Sequence, residues 1–132
     1  MPAKGKMKVL EGNVERSGFQ LTCKNDWFKC AFITLSDQYA YGQVKIMKRH
    51  NESDEVFVLI KGQATLLTGD PIEKEYIKTE LKTGTSFCVE AGTWHYLAVS
   101  EDALVFVVEN SEVSGENTDA INVEDQHLFV EE

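Results

Sequence analysis

Between Phe19 and Glu109 the apolar residues fall at every second position or run unbroken, and no window sustains a helical stripe for three turns. That pattern suits pleated strands and excludes a helical bundle. The strand-like segments are Phe19 to Cys23, Trp27 to Leu35, Gly42 to Lys48, Glu55 to Ile60, Gln63 to Thr68, Glu75 to Leu81, Ser86 to Val89, Trp94 to Val99 and Leu104 to Glu109. They are rich in Val, Ile, Phe, Tyr and Thr. Turn signals separate them, among them Asn51-Glu52-Ser53-Asp54, Lys61-Gly62, Thr83-Gly84 and Ala91-Gly92. Many short strands at regular spacing predict an all-β sandwich or closed barrel.

The chain has 132 residues, enough for one compact domain and too few for two. The strands place its core at about residues 19–109, followed by an acidic tail, 110–132, with an apolar patch at Leu128, Phe129 and Val130. This tail reads either as a partly ordered terminus or as a last strand docking on its own subunit or a partner. Acidic residues outnumber basic ones 22 to 13, a formal net charge of -9. Such a surface repels phosphate backbones and anionic headgroups, which argues against nucleic acid and membrane partners. No apolar run approaches the ~18 residues of a membrane span. The lysine-bearing N-terminus lacks the apolar core of a secretory signal, so the expected location is the cytoplasm. Cys23, Cys30 and Cys88 form no CxxC pair and sit in apolar or alternating stretches, which predicts buried, reduced thiols. Cys88 is the candidate if one is reactive.

The chemistry concentrates in two places. Gly42 to Gly62 places His50 near the end of one strand and Glu55 at the start of the next, while Gly84 to His95 ends a later strand and turn on a second histidine. In an extended chain Val44, Ile46, Lys48 and His50 share one face, which becomes polar toward its end, and Gln43, Lys45, Met47 and Arg49 form the solvent-suited face. His95 shares a face with Leu97 and Val99. Two neutral imidazoles and one carboxylate make a facial set that leaves coordination positions open, and His50, Glu55 and His95 have the right types. Each also has a plainer reading, as a turn histidine, a rim carboxylate and a satisfied core histidine respectively. Glu52 and Asp54 read as solvated turn residues, Trp94 and Tyr96 as core or interface aromatics, Tyr39 and Tyr41 as candidates for a barrel mouth, and His127 as surface.

These residues carry a resemblance to small single-domain cupins of the RmlC-like jelly-roll superfamily. The first cupin motif, G-x5-H-x-H-x3-4-E-x6-G, falls on Gly42, Lys48, His50, Glu55 and Gly62, and the second, G-x5-P-x-G-x2-H-x3-N, on Gly84, Glu90, Gly92, His95 and Val99. The resemblance implies an all-β double-stranded β-helix barrel, a homodimer and a small-molecule ligand such as an organic acid or a sugar. It implies His50, Glu55 and His95 as ligands of a divalent metal (Mn, Fe, Ni or Zn) in an enzyme of the lyase, isomerase or dioxygenase range. Three positions depart from the motifs. Glu90 stands for proline, Val99 for asparagine, and Lys48 for the first metal-binding histidine. An ammonium is no metal ligand and repels a dication. Lys48 therefore reads either as a catalytic group that orients an anion or moves a proton, or as the partner of Glu55 in a metal-free binding module.

Overall fold

The computed structural model describes residues 5–42, 44–123 and 129. Its strands are β1 (Gly18–Lys24), β2 (Phe28–Thr34), β3 (Ile46–His50), β4 (Glu55–Lys61), β5 (Ala64–Asp70), β6 (Glu75–Glu80), β7 (Ser86–Val89), β8 (His95–Val99), β9 (Leu104–Asn110) and β10 (Thr118–Asn122). Among the described residues a single 3-10 turn, Asp37–Tyr39, is the helical element. The strands form two five-stranded antiparallel sheets, ordered β1-β2-β9-β4-β7 and β10-β3-β8-β5-β6. The all-β jelly-roll expectation is met.

The core lies between the sheets, where the inward positions of the alternating strands meet. Ile33, Phe57, Val105 and Val107 of the first sheet face Leu66, Leu97 and Val99 of the second, all buried. Cross-strand register explains the selection: Phe57 lies opposite Val107, Leu59 opposite Val105 and Leu66 opposite Leu97, so one face of each sheet collects the large aliphatics. The Lys61-Gly62 turn brings the chain against Ala103. Gly62 has φ +80°, and a Cβ there would stand 2.5 Å from the Ala103 Cα, so both the conformation and the contact demand glycine.

A second cluster covers the back of the β3–β8–β5 sheet. Val44, Met47, Leu67, Tyr96, Ala98 and Val123 are buried there, with Trp94, Ile121 and Phe129 packed against them. This corrects the expected facing of the Gly42 to Lys48 segment. Only Ile46 onward is strand, so the alternation does not reach back to Val44, which joins Met47 on the opposite side from Lys48. Met47 is fully buried rather than solvent-facing because β10 pairs with β3, setting Ile121 opposite Met47, and Val123 and Phe129 pack in the same cluster. Of the two readings of the tail, a strand docked on its own chain is the one observed for 118–122. Phe129 meets Tyr41 and Tyr96 at ring-centroid distances of 5.3 and 6.1 Å. His127, Leu128 and Val130 lie outside the described residues. The cysteines also differ from expectation: Cys30 is buried, Cys23 intermediate and Cys88 exposed, all as free thiols.

Candidate metal and ligand site

Glu55 opens β4 on the inner face of one sheet. His50 ends β3 and His95 opens β8 on the inner face of the other. A backbone bond brings the two histidine segments together: the Gly92 N–H donates to the His50 carbonyl at 2.8 Å. Gly92 has φ +81°, the left-handed turn geometry that glycine adopts without strain. Asp54 is not merely solvated. Its Oδ1 accepts from the Ala91 N–H at 2.8 Å and pins the β3–β4 turn to the same place.

The three side chains converge. One ligand atom from each of His50, Glu55 and His95 lies within 4.8 Å of the others. Glu55 Oε1 is 3.0 Å from His95 Nε2 and 3.3 Å from His50 Nε2. Two donors each about 2.1 Å from one ion stand roughly 3.0–3.4 Å apart for adjacent octahedral or tetrahedral positions, so these separations fit a shared cation. The outer nitrogens support the same reading. His95 Nδ1 faces the Thr93 carbonyl at 3.0 Å, and a carbonyl only accepts, so Nδ1 carries the hydrogen. In neutral His95 the Nε2 lone pair then points at the Glu55 carboxylate, and two lone pairs 3.0 Å apart require a cation between them. That cation is a proton or a metal ion. His50 Nδ1 is held by the Thr118 hydroxyl of β10 at 2.9 Å, an orienting contact of the kind that metal-ligating histidines make.

Protonation follows from this packing. Burial alone would push Glu55 up, but hydrogen bonds from His50, His95 and Glu109 outweigh it and hold the carboxyl well below its usual range. Burial pulls His95 down, and the Glu55 carboxylate more than reverses this, raising it above an ordinary histidine. With a proton as the shared cation, the pair is imidazolium and carboxylate.

Glu109 is the site residue that motif reading missed. It is 8% exposed and lies directly opposite Glu55 in register, with Lys29 opposite it on the other side. One rung of the sheet thus reads Lys29, Glu109, Glu55, Val89. Lys29 Nζ is 3.3 Å from Glu109 Oε1, and Glu109 Oε2 is 4.0 Å from His50 Nε2. Burial first, then the neighbouring Glu55, push Glu109 up to about 7, against the pull of Lys29 and His50. Of the two neighbouring carboxyls, Glu109 is thus the one pushed toward its protonated form, and Glu55 the one held as carboxylate. Strand parity carried the signal, since Val105, Val107 and Glu109 share the inward face.

A cavity of about 540 Å³ opens over the site. Apolar walls come from Phe19, Ile33, Ile46, Phe57 and Leu97, and Lys45 and Lys48 bring positive charge. Lys48 lies opposite His95 in register, is exposed, and makes no ion pair among the described residues. Glu55 is engaged by the imidazoles, and the Lys48–Glu55 pair of the metal-free reading is not formed. Tyr39 lines the cavity, whereas Tyr41 does not, its hydroxyl bonding Thr65 at 2.8 Å. Burial, then the charges of Glu55 and Glu109, raise the Tyr39 phenol above its normal range and keep it a neutral hydrogen-bond donor. Trp94 packs on the back of the sheet with Arg49 stacked 4.6 Å above its ring.

The family model described as "Cupin domain" matches residues 38–109. Among solved structures, an RmlC-like cupin family protein with a double-stranded β-helix fold from Methanocaldococcus jannaschii superposes with a TM-score of 0.58 at 18% identity, over 83% of this chain and 93% of that one. A Bacillus halodurans protein gives 0.60 at 12% identity, over 92% of each chain. HppE, solved with cobalt(II) and in complex with substrate, gives 0.54 at 13% identity, over 82% of this chain and 59% of that one. At these identities the likeness is one of fold. No curated protein sequence matches the chain. The family match spans more than half of the 132 residues and takes in Lys48, His50, Glu55, His95 and Glu109, and on that ground the chain belongs to the cupin family.

Proposed function

We propose that this protein binds a small organic acid in the barrel cavity, at a divalent transition metal held by His50, Glu55 and His95, as an enzyme of the lyase, isomerase or dioxygenase range. The observation that carries the reading is the convergence of two imidazoles and one carboxylate within 4.8 Å on the wall of a 540 Å³ cavity. When bound, the metal supplies Lewis-acid polarisation of a substrate carbonyl or carboxylate. The chain's own residues do the rest. Lys48, with Lys45 beside the cavity, holds the anionic group by charge-assisted hydrogen bonds and is positioned to give or take a proton. His95 is held in the Nδ1–H form by Thr93, which keeps Nε2 free to ligate. The apolar walls favour an acid with a hydrocarbon body over a sugar. HppE, solved with cobalt(II) and substrate, is a precedent for the fold holding both.

The second reading is a metal-free binding module. It is favoured by the lysine at the first ligand position and by a His95–Glu55 pair that a proton alone can satisfy. We take the whole chain as one cupin domain acting as a cytoplasmic homodimer. Metal analysis of protein purified without chelator or immobilised-metal resin separates the two functions. About one Mn, Fe, Ni or Zn per chain is expected; none retained, and none bound on titration, would leave the binding module.

A further inference from the structure

Cys23 and Cys30 face each other across the β1–β2 hairpin, paired directly in register beside a bulge between Leu21 and Cys23. Directly opposed residues on antiparallel strands have Cα atoms about 4.5–5.5 Å apart, inside the roughly 4.4–6.8 Å window of a disulfide. The register is matched by the electrostatics: after burial, the neighbouring Cys23 is what pushes the Cys30 thiol up to about 11. Cys88 lies on the same rung, which runs Cys30, Val108, Val56, Cys88. Three strand spacings of about 4.8 Å put it near 14 Å from Cys30, out of bonding reach.

We propose that Cys23 and Cys30 are a reversible redox pair, a modification site that a low-molecular-weight disulfide oxidises to a cross-strand bond. Cys23, the more accessible of the two, attacks as its thiolate, forming a mixed disulfide and expelling one small thiolate. Cys30 then gives up its proton and attacks the Cys23 sulfur, expelling the second. Two protein thiols and one small disulfide become one protein disulfide and two small thiols, so electrons and protons balance. The bond ties down β1, an edge strand with β2 as its neighbour and the source of Phe19 in the cavity wall.

The test exposes the full-length protein to oxidised glutathione, followed by alkylation, intact mass and peptide mapping. The expected product loses two hydrogens, links the Cys23 and Cys30 peptides and leaves Cys88 free to alkylate. Its melting temperature should rise by about 5 °C and fall back with dithiothreitol. Cys30→Ser should instead trap glutathione on Cys23, because the resolving thiol is gone. Cys88→Ala should behave as wild type. Alkylation of both Cys23 and Cys30 after oxidation, or glutathione retained on wild-type Cys23, overturns the proposal.

Discussion

Glu55 lies within 3.3 Å of two imidazole nitrogens and beside the Glu109 carboxyl, and the shifts of Glu55, Glu109 and His95 make the metal-free site depend on pH. Glu55, held below its usual range, adds stability that is complete above about pH 4.5 and is lost as pH falls through its folded value. Glu109, pushed up to about 7, works the other way: the folded state keeps a proton that the unfolded chain has released, so stability falls as pH rises from about 4.5 to 7. His95, raised above 6.5, adds to that decline as pH rises further. Urea denaturation in chelator should therefore show greatest stability near pH 4.5–5, and Glu109→Gln should flatten the slope between pH 5 and 7. An unchanged slope would mean that the proton does not sit on Glu109. Lys48 supports a second prediction at this scale. It lies opposite His95 on the cavity face, so Lys48→His replaces a cation with an imidazole in the ligand ring. Affinity for Mn, Fe, Ni or Zn by calorimetry should rise tenfold or more. No gain in a folded variant would show that these side chains do not share one site.

β3 marks the limit of what alternation reveals. From Ile46 to His50 period two places Ile46, Lys48 and His50 on the cavity face, as read from the sequence. Before Ile46 the chain is not strand, and Val44 falls on the other side. Parity within one strand also carries no information about what covers its back, because that depends on β10, a short, largely polar segment with weak local strand character. Met47 is the residue on which this error shows. Buried against Leu67, Tyr96 and Val123, it should cost about 2–5 kcal/mol as Met47→Ala in chemical denaturation, where a solvent-facing methionine would cost almost nothing. The glycines were more legible. Gly62→Ala should destabilise by at least 1 kcal/mol in the same assay, since a positive φ and the Ala103 backbone both oppose a Cβ.

At the scale of the molecule, the fold and the convergence of His50, Glu55 and His95 could be read from patterning and motif spacing, whereas Glu109 and Lys29 could not be read from motifs. Their role comes from register, which aligns residues far apart in sequence into one rung. The proposed dimer would likewise depend on the assembled surface. Trp27 is 76% exposed at the hairpin tip and Leu21 53% on the edge strand, while Phe32 packs on Phe106 and Phe129 packs on its own chain. The hairpin is thus the site we assign to the proposed dimer contact. Light scattering at high micromolar concentration should report twice the chain mass, and Trp27→Ser should shift it toward monomer; a wild-type monomer would remove the dimer from the proposal. Glu55 belongs to one sheet and both imidazoles to the other, so the hydrogen bonds that define the site also clasp the two halves of the sandwich. A molecule filling the cavity and drawing on Glu55 would tug on that clasp, and its arrival should register in amide exchange along β4 and β8, deep in the protein, as well as at the mouth it entered.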